Sequence, residues 1–301
     1  MLVRAFIPAH ITAFFFPRFH ENPMKAGSFG AGVNLNRGTN VIVSIEEGME
    51  NHIHVAFNGK PVKRRAARIS YGVAEEIIPE EFRGDVEVWQ YFDFPNGHGF
   101  GNSAGGALGT ALALAYSFKN RTLLQAAQVA HTHEVINGGG LGDVIAQLHG
   151  GIEMRIKAGA PGIGVVDSIF FNDYRVLAVP LGRLSTREIL KGDVIEKIEF
   201  EGRRALDMLL RSPTPENMMR LARDFAEKTG LLEGELLEIA RELDRVLRLP
   251  SSMVMLGRSI FALLRPDEVQ SAGEVLEELS IEDYSICEIY NEKPKVGRWK
   301  G

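Results

Sequence analysis

The residues best suited to chemistry are Ser103, Glu134 and Asp143, three polar side chains set around two glycine clusters. Ser103 lies in Pro95-Asn96-Gly97-His98-Gly99-Phe100-Gly101-Asn102-Ser103-Ala104, after a strand-like run and before an Ala/Leu-rich helix through Ala107–Tyr116. A glycine loop feeding a helix N-terminus offers backbone N–H groups and the positive end of the helix dipole to an anion, phosphate above all. The Ser103 hydroxyl is a hard oxygen donor of the kind Mg²⁺ takes. Two familiar phosphate motifs do not fit. There is no Gly-Lys-Ser/Thr, and about 20 positions on, where a dinucleotide fingerprint wants an acid, stand Asn120 and Arg121. The competing explanation of the loop is a turn that merely lets a helix pack closely on a sheet.

Leu124, Ala127, His131 and Glu134 fall at helical spacing within Thr122–Ile136, and Asn137-Gly138 ends that helix. His131 and Glu134 are three apart and share a face. After Gly138-Gly139-Gly140-Leu141-Gly142 comes Asp143, opening a short helix through Val144–Leu148, where the dipole keeps a carboxylate ionised. Taken singly, Asp143 also reads as a helix cap, Glu134 as a solvated carboxylate and His131 as a packed core histidine. Together they read differently. Phosphoryl transfer needs a phosphate cradle, a Mg²⁺ ligand set and a carboxylate aimed at the acceptor hydroxyl, and this half of the chain offers a candidate for each.

The elements that must hold these groups divide into two sets. Residues 1–164 carry 14 acidic and 14 basic side chains, and residues 165–301 carry 25 and 20, so the later part reads as surface-rich helices. One opens at Thr214-Pro215 with Met218, Leu221, Ala222 and Phe225 in a stripe and closes at Gly230. The next presents Leu232, Leu236, Ile239, Ala240, Leu243 and Leu247. Ser185-Thr186-Arg187-Glu188 is a capping-box pattern before a shorter one. Strands are expected at Arg175–Pro180, Met253–Leu256, Ser259–Leu264 and Tyr284–Tyr290, and earlier at Val33–Leu35, Thr39–Ile45, Ile53–Phe57 and Asp85–Phe94. The fold class is therefore α+β in packed layers. The expected division is 1–168 and 169–301.

Bulk composition sets the outer limits. Of 301 residues, 45% are hydrophobic and 24% charged, the net charge is −5 and the pI about 6.0, which leaves no basic field for nucleic acid or an acidic membrane. The densest basic run, Lys63-Arg64-Arg65-Ala66-Ala67-Arg68, reads as a solvated segment. One cysteine, Cys287, rules out an intramolecular disulfide and a cysteine zinc site. Phe94–Phe118 is free of Asp, Glu, Lys and Arg, but Pro95 and six glycines make it a poor membrane helix. The N-terminus lacks a signal-peptide layout, so a cytoplasmic protein is expected. Glycine is the outlier, 32 of 301 against a usual roughly 7%, and 19 of them fall in 27–38, 97–109 and 138–164. The first of these clusters has no evident task.

The loop from Pro95 through Gly99-Phe100-Gly101-Asn102-Ser103-Ala104 resembles the Pro-x-x-x-Gly-Leu-Gly-Ser-Ser-Ala loop of the GHMP kinases (galacto-, homoserine, mevalonate and phosphomevalonate kinases), with Phe100 for Leu and Asn102 for the first Ser. Phe6-Ile7-Pro8-Ala9-His10 is similar to their Ala-Pro-Gly-Lys opening, with His10 where many members carry Lys. A third, glycine-rich motif is reduced to Met255-Leu256-Gly257-Arg258-Ser259-Ile260-Phe261, where Arg258 either adds charge near the phosphates or belongs to a plain turn. Three longer strings, Ile7–Phe15, Gly27–Leu35 and His133–Asp143, resemble the archaeal pantoate kinases within that superfamily.

The resemblance implies a two-domain fold, a ribosomal protein S5 domain 2-like N-terminal part and a ferredoxin-like C-terminal α/β part. It implies ATP on the 95–104 loop, Mg²⁺ shared by Ser103 and Glu134, and Asp143 as base. The acceptor it implies is the 4-hydroxyl of pantoate, on the route to coenzyme A. Pantoate requires a fixed cation, hydroxyl partners and an apolar wall. Arg155 is the expected carboxylate clamp, Ser28 and His131 the expected hydroxyl or carboxylate partners, and His10 a further expected substrate contact. Thr186 is expected to reach in from the second domain, and Phe14–Phe16 to supply either the wall or plain core. Homoserine is the runner-up acceptor, its ammonium needing Glu21 or Glu153. A non-catalytic nucleotide or metabolite sensor on the same scaffold is the reading from another class. No partner beyond the small substrate is implied, and a homodimer is left open.

Overall fold

A computed structural model describes residues 1–184 and 193–299. The capping-box segment Ser185–Glu188, with Thr186, lies outside the described residues. The chain starts with a long antiparallel ribbon of β1 (Leu2–Arg18) and β2 (Gly27–Glu47). Val3, Ala5 and Ile7 alternate inward, but from Ile7 to Ile11 every residue is buried, so periodicity fades and β1 gives no strand signal in sequence. Register shifts at Pro8/Ala9 and Thr12/Phe14 bend the ribbon so that its far half lies between two layers. β2 absorbs both expected runs, 33–35 and 39–45, and carries the first glycine cluster inside a strand rather than in loops.

The remaining strands of this sheet are β3 (Asn51–Phe57), β4 (Lys60–Pro61), β5 (Gly84–Phe92), β6 (Ile152–Lys157) and β7 (Val165–Ile169). The order is β12-β1-β2-β5-β3-β4, with β6 on the near half of β2 and β7 on β6; β3 and β5 are parallel, and β12 (Lys295–Arg298) returns from the chain's end to pair with β1. Four helices cover it: α1 (Arg68–Ile77), α2 (Asn102–Phe118), α3 (Leu123–Ile136) and α4 (Asp143–His149). α2 is buried nearly all round. A Cβ on Gly109 would stand 2.3 Å from Val41, and one on Gly106 2.4 Å from Gln90, so the last glycines of the second cluster let α2 press onto the sheet. The close-packing explanation of that cluster thus holds for its helical half.

The second sheet runs β11-β8-β10-β9, with β8 (Arg175–Gly182), β9 (Ser252–Met253), β10 (Arg258–Leu264) and β11 (Ser285–Glu288), all antiparallel. Around it lie α5 (Asp193–Arg211), α6 (Pro215–Lys228), α7 (Gly234–Asp244) and α8 (Val269–Glu278). Thr214 caps α6 by accepting from Asn217 N–H, with Pro215 in its first turn, as the sequence anticipates. α5 and α1 do not emerge from the sequence reading, and the expected strand 253–256 shrinks to Ser252–Met253. One apolar core runs through both halves, joining Ile11, Phe14 and Val33 to Val176, Phe225 and Phe261. Phe14 and Phe15 pack on Phe225 at 6.3 and 6.2 Å, and Phe16 stacks on Phe29 at 4.5 Å. The aromatic run is core, not a substrate wall.

Candidate active site

The second glycine cluster builds a loop that contacts both halves. Gly97, Gly99 and Gly101 hold φ of +84°, +89° and +69°, a region that disfavours any residue with a Cβ. Asn102 donates to the Phe94 carbonyl at 2.7 Å and to Asn96 Oδ1 at 2.8 Å, closing the loop, while Phe100 stacks on Phe94 at 4.3 Å. The Phe100 and Ala104 side chains are buried and so shape the loop from within, whereas Pro95 is exposed. Gly101 is the N-cap of α2 and no side chain caps it, which leaves first-turn N–H groups for an anion.

The second half buttresses this loop. Leu184 N–H donates to Gly97 O at 3.2 Å, and the Ser259 hydroxyl to His98 O at 2.9 Å. Gly257 lies so close that a Cβ there would be 1.9 Å from His98 O and 2.6 Å from Gly99 N. The single glycine left in the reduced third motif therefore serves contact with the loop. Gly257→Ala is expected to cost about 1–3 kcal/mol of stability and to raise KM for nucleotide more than KM for acceptor, read by melting and initial-rate titrations. Arg258 is paired with Glu235 on α7, so its alternative as a phosphate cation gives way. Arg183 instead lines the cleft beside Gly97, as Arg68 does from α1, its guanidinium donating to Asn137 O at 2.8 Å. The sequence reading missed both; Arg68 ends the basic run taken as a solvated surface.

The cleft has a volume of about 590 Å³. It runs from Phe57, Ile69 and Phe92, past the loop, to Ser103, Glu134, Gly139, Gly140 and Asp143. Ser103 Oγ donates to Glu134 Oε1 at 2.5 Å, and Gly140 N–H to Oε2 at 2.9 Å. Glu134 is fully buried, and that burial pushes its carboxyl up to about 7 against the pull of those two donors. A solvated carboxylate it is not.

Asp143 is not a cap either: Gly142 is the N-cap of α4, and no side-chain capping bond exists there. Asp143 Oδ1 instead faces His10 Nδ1 at 2.8 Å, and the other ring nitrogen, Nε2, faces Glu153 Oε1 at 3.0 Å. Burial opposes charge on the imidazole more than any other influence, yet the two carboxylates together hold it above its ordinary value. Arg155 Nη1 donates to Glu153 and lies 3.4 Å from His10 Nε2. All three side chains, His10, Glu153 and Arg155, are at most 1% exposed. Arg155 Nε and Nη2 are buried without a hydrogen-bond partner.

The first glycine cluster now has its physical cause. β6 pairs with β2 so that Arg155 stands opposite Gly30 and Glu153 opposite Gly32. A Cβ on Gly32 would come 2.4 Å from His10 Nε2, and one on Gly30 3.1 Å from Arg155 Nη2. Gly142 is equally constrained, its Cβ position being 2.2 Å from Ser28 Oγ and 2.9 Å from Arg155 Nε. The structure thus brings Ser28, Arg155, His10 and Asp143 together. His131 sits behind them with Nε2 donating to the Pro23 and Ala26 carbonyls, both at 3.1 Å, which pins the turn leading to Ser28. Burial holds the His131 ring below its usual value, so with its proton on Nε2 the other nitrogen is an acceptor. Glu153 entered the sequence reading only as a partner for an ammonium. Its true signal is parity: Glu153 and Arg155 share a face of a strand whose other residues include Ile152 and Met154.

This architecture, a glycine loop capping a buried helix above a carboxylate pair, is that of the GHMP kinases, and a profile described as the GHMP kinases N terminal domain matches residues 68–151. Full-length relatives narrow the class. A pantoate kinase of Thermococcus kodakarensis is 68% identical over 302 residues, covering all of both chains, and one of Methanocaldococcus jannaschii is 34% identical, covering 95% of this chain and 99% of its own. The chain belongs to the pantoate kinase family. A solved structure described as a phosphotransferase related to the CoA biosynthesis pathway superposes with a TM-score of 0.96 at 66% identity, covering both chains fully. A homoserine kinase of Cytophaga hutchinsonii, 16% identical with a TM-score of 0.74 and covering 98% and 97% of the two chains, shares the fold.

Proposed function

We propose that the chain transfers a phosphoryl group from MgATP to the 4-hydroxyl of pantoate, giving 4-phosphopantoate for coenzyme A synthesis. The observation that carries this reading is the polar chain Asp143–His10–Glu153–Arg155, which links the Asp143 carboxylate on the cleft to a guanidinium buried behind it beside Ser28, with two N–H groups unsatisfied. Full-length relatives bearing the name pantoate kinase supply the identity of the acid. ATP is read onto the 95–104 loop, its phosphates on the α2 N-terminus and its base toward Phe57, Ile69 and Phe92.

Mg²⁺ fits the donor set. A buried carboxylate with no ion-pair partner among the described residues, bonded to a hydroxyl at the mouth of an anion site and only weakly influenced by Arg68, is a hard-oxygen pair in want of a cation. Among the described residues no three acidic, His or Cys side chains gather into a metal cluster, so Ser103 and Glu134 would share the ion with phosphate oxygens. When bound, the ion neutralises charge on the transferred group. Asp143 orients the 4-hydroxyl and accepts its proton as that oxygen bonds to phosphorus and ADP leaves. Arg155 Nε and Nη2 take the pantoate carboxylate, Ser28 a hydroxyl, and His131 Nδ1 accepts from a second hydroxyl. Residues 1–168 supply all of these groups, and 169–301 braces the loop; Thr186 lies outside the described residues.

Homoserine fits less well. Its ammonium needs an anion, but Glu153 is already engaged by His10 and Arg155, and Glu21 is exposed. ADP release measured with pantoate, homoserine, mevalonate and shikimate decides the matter: turnover is expected with pantoate, and none would sink the activity and favour a sensor. Arg155→Ala is expected to raise KM for pantoate about 10²-fold, the scale of a lost charge-assisted pair, with KM for ATP nearly unchanged. An unchanged pantoate KM clears Arg155 of carboxylate binding. No helix among the described residues is long and apolar enough to cross a membrane. A cytoplasmic enzyme acting alone or as a homodimer completes the reading.

A further inference from the structure

The His10 and Arg155 side chains raise a problem that the proposed reaction does not explain. Both are buried, and Nη1 of one stands 3.4 Å from Nε2 of the other. Two cations so placed in a dry interior repel strongly, and the histidine would ordinarily shed its proton. The Glu153 carboxylate lies against both, accepting from His10 Nε2 at 3.0 Å and from Arg155 Nη1 through the same oxygen, Oε1. Its other oxygen, Oε2, is buried without a partner, so the carboxylate is held in place by these two cations.

We propose that Glu153 is a positioning residue that keeps His10 and Arg155 charged side by side, and thereby couples recognition of the substrate carboxylate to the orientation of Asp143. The charges alternate along the chain, from Asp143 at the cleft through His10 and Glu153 to Arg155. Among the described residues the charged groups against the His10 ring are all in that set, Asp143 from α4 and Glu153 and Arg155 from β6; β2 brings uncharged Gly32 and Asn34 alongside, and the loop brings Gly101 and the Phe100 carbonyl, which accepts from the His10 backbone N–H. An acid bound at Arg155 adds a second anion to its guanidinium, loosens its hold on Glu153, and lets Glu153 bind His10 more fully. His10 in turn donates to Asp143 and fixes the oxygen that faces the hydroxyl. Among the described residues the other group within hydrogen-bond reach of the ring is Arg155 Nη1, 3.4 Å from Nε2, and Glu153 stands nearer to that nitrogen at 3.0 Å. The coupling to substrate rests on the pantoate reading; the charge state of His10 does not.

Nitrogen-15 NMR of histidine-labelled protein tests the two parts separately. In the wild-type chain at pH 7, both His10 nitrogens are expected to be protonated, and a singly protonated ring overturns the proposal without any variant being made. In Glu153→Gln, a near-isosteric change, the His10 titration is expected to fall by about one unit or more and kcat by about 10²-fold, the scale of a misplaced reacting group. A folded Glu153→Gln with the wild-type titration overturns it. Adding pantoate to the wild type is expected to move the His10 resonances; no movement in a protein that turns pantoate over removes the coupling. Absence of turnover would instead sink the assigned activity and leave the NMR result standing.

Discussion

Asp143→Asn is expected to lower kcat by about 10³-fold, the middle of the range for a positioned general base. The substitution is nearly isosteric, and its amide oxygen can still accept from His10 Nδ1, so the side chain keeps its place. Two things are lost: the capacity to take the hydroxyl proton, and the negative charge that balances a buried imidazole. Because the transition state for phosphoryl transfer is loose, the attacking oxygen gains little from a strong base and more from being held in line. Retained geometry with lost charge therefore separates the two contributions. A loss near 10²-fold assigns most of the effect to orientation, and one near 10⁴-fold assigns it to proton transfer. KM for ATP should stay within about threefold, since the loop is held by Asn102, Ser259 and Gly257 and not by Asp143. Single-turnover rates with saturating ATP make the comparison; a near wild-type rate removes Asp143 from the chemistry.

How much of this site can be read from sequence depends on whether a residue's signal is local. Ser103, Glu134 and Asp143 each stand in a short string whose turn and helix chemistry sets their direction, and the fold places them in one cleft. Arg155 is legible only as a cation near in sequence to Asp143, and Glu153 has no such string; their pairing arises when β6 pairs with β2 and the glycines opposite leave room for buried charge. A charged pair alternating with apolar residues on a strand looks like a solvated face, and the sequence does not say that a second layer covers it. The same obstacle hides β1, buried on both faces from Ile7 onward, and leaves the 27–38 glycines without a task until His10 is seen against Gly32. The later helices are plainer. α6 and α7 each bury one stripe, so their period survives in the sequence, and Thr214-Pro215 marks where the first of them starts.

Glu134→Gln should abolish metal-dependent turnover yet stabilise the ligand-free protein at alkaline pH, an opposition that identifies a site built for a cation. Burial lifts the Glu134 carboxyl from its ordinary 4.5 to about 7. A group whose folded value is raised binds more protons in the folded state than in the unfolded one, so stability falls as pH rises between the two values. Its contribution is whole below pH about 4.5 and is lost as the pH climbs through about 7, with an upper bound of about 3 kcal/mol. The ligand-free wild type should therefore melt progressively lower from pH 5 to 8, and Glu134→Gln should flatten that part of the slope, because the amide carries no charge to desolvate. Adding Mg²⁺ with a non-hydrolysable ATP analogue should restore the wild-type melting temperature at pH 8, since the cation binds the ionised form alone, and should do far less for the variant. Turnover should then rise with pH through the same interval that weakens the empty protein. A variant that retains the wild-type pH slope, or that responds to Mg²⁺ as the wild type does, would remove Glu134 from the metal site. The cost of burying that carboxylate next to Ser103 is what a bound cation would offset, and Gly139, whose Cβ position stands 2.4 Å from Glu134 Oε2, lets the backbone come close enough for Gly140 N–H to hold it there.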